Sequence, residues 1–244
     1  MSTIKLPLSI TVPRTSFLMG TPESDLSRLA KAYGGTRESY REESPQHHVT
    51  VDAFALSQTP ITVACYEQFV SAGGTVPAQF ALQRQQPDAP VVNITLPMAR
   101  EFCTWLTTIH GVPYRLPTEA EWECAARGVD GRQFPWGDEF HPTIASTRES
   151  GGGLRAVGRY PEGASVWGFL DMAGTVWEWT SSLDWSYPYV ADDGRNDAQK
   201  EGRRVIRGGC YVNPHGYARC ACRFRMAPEM TNPFLGFRVA QSIE

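Results

Sequence analysis

The sequence predicts an α+β fold, a single domain with little regular secondary structure: two main helices, a third short one and many short strands. Three observations predict it. Apolar residues recur at helical spacing in only a few stretches, while short β-branched and aromatic runs are scattered along the chain. The 18 prolines and 22 glycines punctuate it into short elements and loops. A length of 244 residues at 41% hydrophobic and 20% charged is enough for one sizeable core, and neither an internal repeat nor a domain linker breaks it.

Taken in order, Leu8 to Met19 alternates weakly and contains Pro13, which predicts one or two short strands, one at a sheet edge. Gly20 to Ser24 is a turn, Leu26–Tyr33 a short helix, and the polar stretch to Gln46 a surface loop. His48 to Phe54 reads as one strand. The adjacent His47 and His48 point to opposite faces there, so they do not share a metal. Thr62 caps a helix with Tyr66, Phe69 and Val70 on its apolar face and Gly73-Gly74 at its end. Thr75 to Ala89 is a loop. Thr95 caps the next helix, whose stripe is Ala99, Phe102, Cys103, Leu106 and Ile109, and Gly111 stops it. Tyr114 to Pro117 is a short strand. Thr118 and Glu121 then stand at capping-box spacing, and the acids Glu119, Glu121 and Glu123 favour the positive end of the helix dipole. Short strands and turns follow at Phe134–Asp138 and Val157–Pro161, then an aromatic strand through Trp177, Glu178 and Trp179, then a polar loop from Ser181 to Gly202. Strand-like runs at Val205-Ile206 and Phe237–Val239 bracket a last segment with little periodicity. A rigid frame around an unpatterned middle is where binding or chemistry tends to sit.

Net charge is −3 and the isoelectric point about 6.0, which favours neither nucleic acid nor an anionic membrane as a partner. Met1 to Pro7 carries no apolar signal core and no run of apolar residues is long enough to span a bilayer, so the expectation is a cytoplasmic protein without membrane insertion. The cysteines Cys65, Cys103, Cys124, Cys210, Cys220 and Cys222 are then free thiols, small hydrophobes in the main.

Several stretches together resemble one family. Phe17-Leu18-Met19-Gly20, Glu43-Ser44-Pro45-Gln46-His47, Pro60-Ile61-Thr62, Tyr114 to Glu123, Phe134-Pro135-Trp136-Gly137, Gly168 to Trp179, Arg207-Gly208-Gly209 and Gly236-Phe237-Arg238 look like the formylglycine-generating enzyme, or sulfatase-modifying factor, family, in order over nearly the whole chain. The resemblance implies that family's variant of the C-type lectin fold over 1–244. It also implies what to look for in a site. The oxidases of the family hold copper between two cysteines that convert a sulfatase cysteine to formylglycine. At the corresponding places, six and eleven residues after Arg207, this chain has Asn213 and Ala218, neither of which supplies a thiolate, so copper is not expected. On a strand Cys220 and Cys222 would share a face, which keeps open an alternative: a metal-dependent oxidase acting on a protein cysteine and using Cys210, Cys220 or Cys222. Asp171-Met172-Ala173-Gly174-Thr175-Val176-Trp177-Glu178 resembles the family's calcium loop, which implies ligation by the side chains of Asp171 and Glu178 and the carbonyls of Gly174 and Val176. Calcium suits several hard oxygens around a tight glycine turn. The competing reading is a turn and strand whose Glu178 pairs with an arginine.

The chain also resembles the variable proteins of diversity-generating retroelements, whose segment between Arg-Gly-Gly and Gly-Phe-Arg is rewritten at adenines, mostly in Asn codons. Here that segment lies within 205–240. Val212, Asn213, His215, Gly216, Tyr217, Cys222, Phe224, Ala227, Thr231, Asn232 and Phe234 are all reachable from such codons. Together with Met226 they are the expected ligand-binding residues, with Tyr217, Phe224, Phe234, Met226 and His215 facing solvent. Large aromatic and Met side chains offer contact area to an unidentified protein or small-molecule ligand. The interleaved Arg219, Arg223, Arg225 and Arg238 are scaffold, paired with backbone or carboxylates.

Overall fold

A computed structural model describes residues 6–243; the sequence reading of Met1 to Lys5 and of Glu244 lies outside them. The weak alternation near the N-terminus becomes two strands, β1 (Ser9–Val12) and β2 (Thr15–Met19), with Pro13 in the break. The predicted strand at His48 to Phe54 is two strands, β3 (His47–Val51) and β4 (Phe54–Ser57), interrupted at Asp52-Ala53. The break follows from pairing: β3 joins β2, with Phe17 opposite Val49, while β4 joins β1, with Val12 opposite Phe54. β1 is indeed an edge strand, of the order β1-β4-β9 with β9 (Ala240–Ser242) on the other side of β4.

The helices are α1 (Leu26–Tyr33), α2 (Val63–Ser71), the short α3 (Phe80–Gln83) inside the stretch expected to be loop, α4 (Leu96–His110) and α5 (Glu119–Arg127). Their predicted caps are present. The hydroxyls of Thr62 and Thr95 accept the backbone N–H groups of Cys65 and Met98, each at 3.2 Å. Gly111 ends α4 at a left-handed φ of 70°. Ile109 does not join the α4 stripe; it is 45% exposed, because the last turn overhangs the core. Tyr114–Pro117 forms no strand beyond a single bridge from Arg115 to Ala240, and Phe134–Asp138 only a bridge from Phe134 to Gly137. Val157–Pro161 forms no strand; the chain turns there and runs into a short 3-10 helix at Pro161–Gly163.

The largest sheet has the order β7-β6-β5-β8, from β5 (Trp177–Leu183), β6 (Arg204–Arg207), β7 (Arg223–Met226) and β8 (Leu235–Gly236). The last predicted strand, Phe237–Val239, is displaced: regular pairing falls on β8 and β9, and the three residues between them cross from one sheet to another with their side chains in the core. Two apolar clusters flank this crossing. One gathers Tyr66, Phe69, Phe102, Leu106, Trp179 and Phe237 beneath α2 and α4. The other gathers Phe17, Met19, Phe54, Trp122, Phe169 and Tyr187 around α5. Tyr66 stacks on Phe102 with centroids 5.4 Å apart, and Phe237 meets the Phe102 ring edge-on at the same distance. Among the described residues no helix is long and apolar enough to cross a membrane. The architecture is the formylglycine-generating-enzyme variant of the C-type lectin fold that the motifs imply.

Candidate functional site

The C-terminal segment is held in place by α5. Thr118 caps it, its hydroxyl accepting from the Glu121 N–H at 3.1 Å while Glu121 accepts from the Thr118 N–H at 2.7 Å. Every residue of α5 is buried. Glu119 and Glu123, four apart and so on one face, are therefore acids inside the molecule, and more than partners of the helix dipole. Arg223 clamps Glu119 with Nε to Oε2 at 3.1 Å and Nη2 to Oε1 at 3.0 Å. Arg207 Nη2 reaches Glu123 Oε2 at 2.9 Å and Glu119 Oε2 at 3.2 Å, and Arg127 lies 3.0 Å from Glu123 Oε1. Burial alone would drive the Arg207 guanidinium towards its neutral form; the pull of the Tyr187 phenol and of both glutamates outweighs it and raises the pKa. Spare guanidinium donors go to carbonyls, those of Cys220 and Cys222 for Arg207 and of Glu42 and Trp185 for Arg223. Arg207 on β6 and Arg223 on β7 are thus held by carboxylates and carbonyls, the role expected of Arg223 as scaffold.

Two further arginines of the segment, Arg219 and Arg225, face the stretch before β3, while Arg238 turns to Glu178. Arg219 pairs with buried Glu43 at 2.9 Å, and its guanidinium lies over the rings of Tyr33 (5.4 Å) and Tyr40 (5.1 Å). Arg225 bonds Glu42 and lies 3.4 Å from Asp184. Between this stretch and the C-terminal segment runs a cleft of about 460 Å³, walled by Tyr33, Tyr40, Glu42, Tyr217, Phe224 and Arg225. A second recess of about 310 Å³ adjoins it across Arg223 and Arg225, with Trp185 and Arg203 on its far side. Tyr33, Tyr40 and Glu42 were absent from the sequence-level site. The available signal was two tyrosines and an acid pair in an otherwise polar stretch, complementary to the interleaved arginines.

The predicted ligand-binding residues divide. Val212, Tyr217 and Phe224 are 45%, 43% and 46% exposed, and Thr231 is exposed as well. The rings of Phe224 and Tyr217 sit 5.9 and 6.4 Å from that of Trp177, which lies beneath them. Asn213 is half-buried below the surface: its Oδ1 accepts from Trp177 Nε1 at 2.8 Å and from Cys210 Sγ at 2.9 Å. Ala218 is buried. His215 does not point freely to solvent, because its Nδ1 meets Glu149 at 3.1 Å and its ring stacks on Phe140 at 4.3 Å. Met226 and Phe234 pack against the first apolar cluster, which Cys222 joins as a buried member. Ala227 is half-buried, and Asn232 turns its own chain by accepting the Phe234 N–H at 3.1 Å. Gly216 is buried where an added Cβ would come 2.8 Å from the Cβ of Tyr33, so the position requires glycine. Gly216, Tyr217, Cys222 and Phe224 all border the cleft, but only Tyr217 and Phe224 offer it substantial side-chain surface.

Cys220 and Cys222 lie on no common strand face. Cys220 belongs to the α5 cluster and Cys222 to the other, and burial pushes both thiols up to about 12. Burial also raises Cys210, to about 11. Among the described residues no three His, Cys, Asp or Glu side chains converge as a metal set.

At the predicted calcium loop, Asp171, Gly174 and Thr175 all have left-handed φ, of 58°, 79° and 63°. A Cβ on Gly174 would lie 2.2 Å from the Ser146 carbonyl oxygen. Glu178 already holds a cation: Arg238 donates to its two oxygens at 2.6 and 2.7 Å, and Trp122 Nε1 donates at 2.8 Å. Asp171 has no such partner. It is buried, with the Gly158 N–H on Oδ2 at 2.7 Å, and desolvation raises its pKa against that bond and the pull of Arg238, with Glu178 adding to the rise. A divalent cation beside Asp171 would meet that need, sharing Glu178 with Arg238.

Comparison with known proteins bears on this frame. The family described as sulfatase-modifying factor enzyme 1-like domain matches residues 2–243. A formylglycine-generating enzyme of Streptomyces coelicolor is 31% identical over 269 residues, covering 83% of this chain and 82% of that one. The structure of PvdO from Pseudomonas aeruginosa superposes with a TM-score of 0.78 at 27% identity, over 97% of this chain and 95% of that one. Treponema denticola variable protein 1 superposes with a TM-score of 0.74 at 19% identity, over 96% and 95% of the two chains, a likeness of fold. The chain spans 36% to 54% of the length of the curated relatives it matches first.

Proposed function

The chain belongs to the sulfatase-modifying factor enzyme 1-like domain family, and from that premise we propose that it is a non-catalytic binding module whose C-terminal segment displays Tyr217 and Phe224 beside a cleft for a protein or small-molecule ligand. One observation carries the reading. The family frame is intact, locked by Arg207 and Arg223 on α5, while the positions of the copper thiolates hold a hydrogen-bonded Asn213 and a buried Ala218. Two exposed aromatics on a rigid base supply contact area at little entropic cost. Rewriting of the segment at adenines, as in diversity-generating retroelements, fits Val212, Tyr217, Phe224 and Thr231, where a new side chain meets solvent; it does not fit Gly216. A near-copy of codons 205–240 differing at adenines in the neighbouring DNA supports that part, and its absence removes it.

The second reading is a metal-dependent oxidase acting on a protein cysteine. Family membership and the Streptomyces enzyme favour it. It needs a thiolate pair, and the thiols at hand are buried and protonated. Purified protein loaded with copper is expected to leave a sulfatase-type cysteine peptide unchanged; formation of an aldehyde in that peptide refutes the binding reading.

The proposal includes one structural calcium ion, held by Asp171 and Glu178 with the carbonyls of Gly174 and Val176. Its support is the buried Asp171, which lacks a cation of its own. Calcium there has no redox role; it would neutralise the loop that leads into β5. Calcium is expected to raise the melting temperature over EDTA, and identical melting in both sinks this part.

A further inference from the structure

A separate cavity of about 200 Å³ opens between the α3 segment and the start of the C-terminal segment. No carboxylate, amine, guanidinium or imidazole lines it. Its polar groups are the side-chain amides of Gln79, Gln83, Gln86 and Asn93 and the phenol of Tyr211. Its walls are apolar, with Val63, Leu82, Val92 and Leu154 among them.

The cavity is built rather than incidental. Gln79 and Asn93 both sit at left-handed φ, 57° and 60°, which Asn adopts readily but which costs Gln79, and side-chain bonds around them hold this turn in place. Those bonds meet at one carbonyl. Ala78 O accepts from Asn93 Nδ2 at 3.2 Å and from Gln83 Nε2 at 3.0 Å, while Gln83 also closes a two-way pair with the backbone of Val92. Asn93 is 7% exposed, and the bond from its Nδ2 fixes which end of the amide is free. Among the described residues its Oδ1 takes no donor, although it belongs to a nearly buried residue lining the cavity. The side chains of Gln79 and Gln86 are likewise without partners and stand at the rim.

We infer that this cavity is a binding site for a small uncharged amide, an N-acetyl group or its peptide equivalent. An ion entering it would find no counter-charge, and burying one unpaired is strongly unfavourable. A secondary amide supplies what the lining lacks: an N–H for Asn93 Oδ1, a carbonyl for the NH₂ of Gln79 or Gln86, and a methyl for the wall of Val63 and Val92. The same chemistry occurs on an N-acetylated sugar and along a peptide, so both sources are probed.

The test is titration of the intact protein with N-acetylglucosamine and with N-acetylalanine methylamide, followed by protein NMR shifts, with glucose as the ring lacking the amide. Both amides are expected to bind and glucose not to. The tighter of the two names the source. Asn93→Gly keeps the left-handed backbone and removes the acceptor, and binding should weaken about tenfold, the worth of one well-placed hydrogen bond. Gln86→Ala, at an exposed rim position, should weaken it by a smaller factor and decides the matter if Asn93→Gly fails to fold. Binding of glucose as tight as that of the amides, equal binding by the parent and both variants, or no binding of either amide overturns the inference.

Discussion

At the scale of single residues, burial decides what each side chain can do. Cys65, Cys103, Cys124, Cys220 and Cys222 have thiols pushed up to about 12 by desolvation, and all six cysteines are buried. Native protein at pH 8 should therefore react with no thiol reagent on the minutes scale, and denatured protein should release all six thiols. A fast-reacting thiol in the native state would contradict this account of the C-terminal segment. Asp171 gives a pH prediction. Its folded pKa is raised, so the native state holds the proton more tightly than the unfolded chain. Its contribution to stability is most favourable below the ordinary carboxylate range and is lost as pH rises through the raised value. Asp171→Asn accepts the same left-handed backbone and removes this loss. In EDTA at neutral pH the variant should melt at or above the parent, and calcium should reverse the order; a variant that melts lower in EDTA refutes the uncompensated charge. Tyr217→Ala and Phe224→Ala remove exposed surface and should change stability by no more than about 0.5 kcal/mol in urea titrations. A larger loss would make these rings structural.

At the scale of elements, local chemistry sets where the helices begin and pairing sets where the strands fall. Thr62, Thr95 and Thr118 each cap a helix through a hydroxyl, so three N-termini were readable from residue type and spacing alone. Thr118→Ala removes one half of a capping box and should cost about 1 kcal/mol of stability by chemical denaturation. The strands were less legible. β3 and β4 look like one run in sequence because the pattern carries no mark of a change of partner, yet β3 pairs with β2 and β4 with β1 and β9. Phe237–Val239 reads as a strand because the apolar Phe237 and Val239 alternate with Arg238. They are buried, but in a crossing between sheets where no partner strand aligns.

At the scale of the whole molecule, the buried ion cluster joins parts that are distant along the chain. Glu119 and Glu123 on α5 hold Arg207 on β6 and Arg223 on β7, while Glu42 and Glu43 hold Arg225 and Arg219. Arg219, Arg223 and Arg225 all border the cleft, so both sets of pairs form part of its walls. Glu119→Gln leaves Arg223 and Arg207 short of a buried carboxylate and should destabilise the fold by roughly 3–5 kcal/mol, with near- and far-UV dichroism lost in one transition. An effect under 1 kcal/mol would mean that backbone carbonyls alone stabilise those guanidinium groups.

By itself the sequence determined the family frame, the α+β class, the caps of α2, α4 and α5, and the replacement of thiolates by Asn213 and Ala218. These are properties of residue type and spacing, which neighbours in the chain already define. Only the tertiary structure decided which of the C-terminal residues reach solvent. Tyr217 and Phe224 are exposed while Gly216, Cys222, Met226 and Phe234 turn inward, because that irregular segment has no periodicity and its burial is set by Tyr33 and the core packed against it. The structure alone also put Glu119 and Glu123 inside. Their helix positions suit the dipole, and Arg127 four residues on pairs with Glu123, but Arg207 and Arg223, more than eighty residues away, also hold these charges, and no local pattern encodes those pairings.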